Sequence, residues 1–98
     1  MVRVPPEKPV LISLDNRGFH VLAYNGIPEQ EMVRLELELF DPNTGQGASA
    51  NTLLDKRVFQ ELDHFMKQPP SGKAFLICID TTKKEASWQM RRIPEESP

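Results

Sequence analysis

Between Met32 and Phe40 apolar and charged side chains alternate: Val33, Leu35, Leu37 and Leu39 fall on one side, Arg34, Glu36 and Glu38 on the other. A period of two is the strand period, and one dry face opposite one wet face predicts an antiparallel strand with a solvated side. Upstream, Val10-Leu11-Ile12-Ser13-Leu14 is a β-rich run closed by Asp15-Asn16-Arg17-Gly18, and the strand pattern resumes from Phe19 to Tyr24. Asp, Asn and Gly favour turns, so the pair predicts a β-hairpin. Asn25-Gly26-Ile27-Pro28 predicts a second turn, and Asp41-Pro42-Asn43-Thr44-Gly45 a type I turn.

The period then changes. Val58, Phe59, Leu62, Phe65 and Met66 recur at helical spacing, with Asp55 placed as an N-cap and Thr52 offering an alternative start one turn earlier. The segment from Gly45 to Asn51 reads as a loose connector into this helix, and Gln68-Pro69-Pro70-Ser71-Gly72 ends it. Lys73 to Asp80 is a continuous apolar run, as a central strand would be. Thr81 to Glu85 turns the chain, and Ala86 to Ile93 predicts a last strand in which Trp88 and Met90 alternate with Gln89 and Arg91.

The order is β-β-β-α-β-β. A helix this short needs packing to hold it, which predicts an α+β fold: one twisted, mostly antiparallel sheet with the helix across one face. Residues 10–93 form the expected single domain, between a proline-rich leader (1–9) expected to fray and an acidic tail (94–98). The expected core includes Leu35, Leu37, Phe59, Leu62, Phe75, Ile77 and Trp88, with Arg34, Glu36 and Glu38 wet. This element order is too general to point to a family.

At 98 residues the chain is too short for a dinucleotide-binding unit plus a substrate domain, a TIM barrel or a protein kinase. Its 39% hydrophobic and 27% charged residues match a globular domain rather than a disordered one. The longest apolar run, Ala74 to Ile79, is far below the roughly 18 residues of a membrane span. The first residues lack an apolar core and cleavage site of the secretory kind, so a cytoplasmic location and no membrane contact are expected. The single cysteine, Cys78, excludes an internal disulfide and a cysteine-based zinc cluster; between Ile77 and Ile79 it is expected to be a buried, unreactive thiol.

The net charge of −2 hides an asymmetry. Residues 1–66 carry six Lys or Arg against ten Asp or Glu, whereas residues 67–93 carry six against two. Segments of opposite sign fit either two halves that face each other with complementary charge or a basic surface for an acidic partner.

Candidate chemistry is sparse. His20 and His64 lack metal-ligand spacing, so no metal or cofactor is expected. No serine stands in a nucleophile elbow. Glu36 and Glu38 are a carboxylate pair on a strand face whose wet alternation is the ordinary solubilising kind. The Gly45 to Asn51 segment lacks the Lys-Ser/Thr of a phosphate-binding loop. No enzymatic activity is therefore expected.

The expected function is a small non-enzymatic protein-binding domain, an inhibitor, adaptor or regulatory subunit, with self-association through a sheet edge as a further route. Its expected partner-binding residues are Arg34, Glu36, Glu38, Lys83, Lys84, Gln89, Arg91 and Arg92. The alternative is a single-stranded nucleic-acid binder using the basic strip from Lys83 to Arg92 with Trp88 as a stacking platform. Strand alternation places Trp88 and Arg91 on opposite faces, and the acidic whole lacks a basic footprint, so the protein-binding reading leads.

Overall fold

The computed structural model describes residues 1–80, 82 and 85–92, the side chains of Glu85 and Arg92 excepted. In chain order it runs β1 (Val2–Arg3), β2 (Val10–Leu14), β3 (Arg17–Glu29), β4 (Met32–Phe40), β5 (Gly47–Asp55), α1 (Lys56–Lys67), β6 (Lys73–Asp80) and β7 (Glu85–Arg92). The seven strands make one sheet in the order β5-β4-β3-β2-β6-β7, with β1 paired to β3 beyond the end of β2. The fold is α+β as expected, with one helix and a mostly antiparallel sheet. The exception is β2 and β6, which run parallel.

The first hairpin forms where expected. Its tip, Asp15 and Asn16, takes positive φ at both residues, 49° and 70°. Asp and Asn tolerate that conformation, and its twist suits a two-residue hairpin. The second turn lies elsewhere. Asn25 to Pro28 is strand, paired residue by residue with Glu36 to Val33, and the chain reverses at Gln30 (φ 58°) and Glu31. Two features of the fold account for the difference. A Cβ on Gly26 would lie 2.5 Å from Cζ of Phe59, so that glycine admits an aromatic ring to the backbone instead of bending the chain. Pro28 sits where β3 has a strand neighbour on one side only, where a missing N–H is tolerated.

The turn after β4 spans five residues, not the four of a type I turn: the Gly45 N–H donates to the Asp41 carbonyl at 2.8 Å. Residues 47–51, expected to be a loose connector, belong instead to β5, which pairs with β4 along its whole length. Asp55 caps the helix, its carboxylate accepting from the Arg57 N–H at 2.8 Å, and the earlier start at Thr52 is unused because Thr52 is in β5.

The helix presents Val58, Leu62 and Phe65 to one face of the sheet, onto Val10, Ile12, Leu35, Leu37, Leu54, Phe75 and Ile77. Of the expected core, Leu35, Leu37, Leu62, Phe75 and Ile77 are buried. Phe59 is only partly so, its ring wedged edge-on against Tyr24 at 6.4 Å. Trp88 is not core: it stacks on Phe75 at 5.4 Å but stays 39% exposed, since β7 ends the path of the sheet and no further strand lies beyond it among the described residues. Cys78 is likewise half-buried rather than closed off, because it alternates onto the face without the helix.

The leader is tied down. Val2 and Arg3 pair with Tyr24 and Ala23, and the Val4 N–H donates to the Leu22 carbonyl at 2.9 Å. Leu22 is the extra residue where the β3–β4 register shifts between Val21 and Ala23. Lys8 is 6% exposed, and its ammonium donates to the Phe65 carbonyl at the end of α1.

Candidate functional site

Register fixes which side chains share the face opposite the helix. Phe75 and Ile77 face α1, and their partners Met90 and Trp88 lie on the same side, so Ala74, Leu76, Gln89 and Arg91 fall on the other. The same alternation puts Leu11 and Ser13 of β2, His20 of β3, and Arg34, Glu36, Glu38 and Phe40 of β4 on that open face. One rung crosses the sheet: Phe40 pairs with His20, His20 with Leu11, Leu11 with Leu76, and Leu76 with Gln89.

Above this rung lies a groove of about 330 Å³, lined by Leu11, Ser13, His20, Leu76 and Arg91, with Pro42 and Asn43 of the β4–β5 turn along one side. Beside the turn, Arg17 reaches Asp41 at 3.5 Å and stands 5.3 Å from the Phe19 ring centroid. The groove has an apolar floor, a hydroxyl, an imidazole, an amide and a guanidinium. Among the described residues Arg91 makes no ion pair, so its donors are available to an anionic group.

The expected partner-binding residues divide as follows. Arg34, Glu36 and Glu38 share the open face on β4; Gln89 and Arg91 share it on β7, four strand spacings away, about 19 Å at ~4.8 Å each. Arg34 pairs with Glu29 at 3.3 Å, an exposed contact of small energetic consequence. Glu36 is less wet than expected, being half-buried and accepting from the Asn25 amide at 3.3 Å, while Glu38 is exposed. Arg92 is described by its backbone alone, paired with Lys73. Lys83 and Lys84 lie outside the described residues, as does the tail from 94 to 98.

The two histidines are not brought together. His20 is on the open face, whereas His64 is exposed on the helix, its ring nitrogen 2.8 Å from the Gln68 amide. Among the described residues no group of three His, Cys, Asp or Glu is placed to hold a metal ion. No helix is long and apolar enough to cross a membrane.

What the sequence reading missed is the groove itself. His20, Leu11 and Asn43 join it only through the pairing of β2 with β6, a contact between distant segments with no local signal. The Pro42-Asn43 turn was legible as a turn, but not as a wall. Comparison with protein-family models, curated proteins and solved structures found no match.

Proposed function

We propose that this chain is a small non-enzymatic protein-binding domain that docks a partner on the open face of its sheet. One observation carries the reading: Glu38 of β4 and Arg91 of β7 are exposed on the same face of the sheet, four strand spacings apart, with Arg3 and Arg34 also on that face and Leu11 on a strand between. The charges steer and orient a partner, while the half-buried Leu11 gives it apolar surface to cover. The complementary partner presents a carboxylate to Arg91 and a cation to Glu38.

Single-stranded nucleic acid is the second reading, favoured by the 39% exposure of Trp88. Trp88 and Arg91 project from opposite sides of β7, so a strand could not stack on one while its phosphate met the other.

The test begins with purification of natively associated material and mass spectrometry. For a recovered protein, Arg91→Glu should slow association and flatten its salt dependence, and bound partner should protect Cys78 from alkylation. Saturable binding of mixed-sequence single strands, with affinity falling log-linearly with salt, would defeat the reading in favour of the second.

A further inference from the structure

The path of the sheet ends in β5 and β7, and the two edges differ in chemistry. β7 carries Arg91, a charge of the kind that keeps an edge from pairing with another chain. β5 has neither charge nor proline from Gly47 to Leu54, pairs with β4 along all nine residues, and is largely exposed, with Leu53 at 50%. We propose that β5 pairs antiparallel with β5 of a second copy, about a two-fold axis at Asn51, so that one sheet runs through the dimer.

Charge on the neighbouring strand selects this register. On the open face Arg34, Glu36 and Glu38 of β4 stand beside Leu53, Asn51 and Ser49 of β5. With Asn51 opposite itself, Ser49 meets Leu53 of the second copy. Each outer rung then runs from Glu38 of one chain to Arg34 of the other, opposite charges about 14 Å apart over three strand spacings. The central rung places two Asn51 amides between two Glu36 carboxylates, which can accept from them. Sliding by two residues one way brings Glu38 and Glu36 of different chains onto shared rungs. Sliding the other way sets Asp55 opposite Ser49, beside Glu38. The first slide puts acid on the rung of acid twice; the second keeps two Glu36–Arg34 rungs but brings Asp55 within two strand spacings of Glu38, closer than the two Glu36 carboxylates of the central rung, and like charges across strands are unfavourable. An isologous pairing of this kind closes on itself, so the product is a dimer and not a fibre.

A single strand pair buries less than the roughly 1,200 Å² of a standard interface, so dissociation in the micromolar range is expected. Sedimentation velocity on the full chain from about 1 to about 500 µM tests it. The wild type should shift from monomer to dimer. Ser49→Lys with Leu53→Lys, both at exposed positions, opposes lysines on both outer rungs and should stay monomeric with an unchanged circular dichroism spectrum. Ser49→Lys with Leu53→Glu opposes Lys to Glu on the same rungs and should dimerise at least tenfold more tightly than the wild type. A wild type that stays monomeric throughout, or a double-lysine variant that dimerises equally well, overturns the proposal. A Lys/Glu variant no tighter than the double-lysine one overturns the register. The edge is separate from the face proposed for the partner, so Arg91→Glu should leave dimerisation intact, and its loss would also overturn the proposal.

Discussion

The ammonium of Lys8 donates to the carbonyl of Phe65 at 2.6 Å while standing 5.5 Å from the centroid of the same residue's ring. One cation from the leader therefore meets both the negative end of the helix dipole and an aromatic face. The Phe65 carbonyl also accepts from the Gln68 N–H at 3.2 Å, so removing Lys8 does not orphan it. Lys8→Met, which keeps the apolar stem, should cost about 1–3 kcal/mol in urea unfolding, as expected for a lost hydrogen bond to a charged group. An unchanged midpoint would show that the leader does not hold the helix.

Gly26 and Phe59 are a second coupled pair, since the ring occupies the space a Cβ would need. Gly26→Ala should destabilise by about 1–3 kcal/mol, the range for overpacking. In a Phe59→Leu background the same change should cost little, and the double-mutant cycle measures the difference. Additive effects would mean that the ring simply swings aside.

Burial pushes the Tyr24 hydroxyl up to about 12, and the nearby Asp63 carboxylate adds to the shift. The folded protein thus holds this proton more tightly than the unfolded chain, whose tyrosine titrates near 10. The contribution to stability is complete below pH 10 and is lost as pH rises from about 10 towards 12. Tyr24 is the single tyrosine, so tyrosinate absorbance reports it alone. The midpoint should lie near 12 in the native protein and near 10 in denaturant; coincident midpoints would place the hydroxyl in water.

Cys78 is half-buried on the open face, between Ser13 and Ser87 of the flanking strands. A thiol reagent should label it more slowly in the native protein than in denaturant, at a native rate independent of low denaturant concentrations. A rate that tracks global unfolding would restore the closed thiol expected from its isoleucine neighbours.

How much was legible follows from where each signal resides. The period-two pattern of Val33 to Leu39 and the helical spacing of Val58, Leu62 and Phe65 state which side is dry, so strand, helix and core face could be read directly. Gly26 and Pro28 misled because the same residues that make turns also mark close approach and one-sided strands; the difference lies in Phe59, far along the chain. Residues 47–51 have weak strand propensity and are strand because β4 offers its edge. Trp88 was misplaced because alternation gives the side of a strand but not whether anything covers it. The groove beside Arg91 depends on the crossing of β2 with β6, for which neither segment carries a local cue.

That crossing also orders events in time. The hairpins from β2 to β5 join neighbours in sequence and can close early, whereas β2 has its second partner only once β6 has been made and brought back past the helix. Non-local parallel pairing is entropically slow. Val10 to Leu14 is therefore expected to keep one side unclaimed until β6 is made, and the step that seats β6 there is one at which mispairing with another nascent chain is expected.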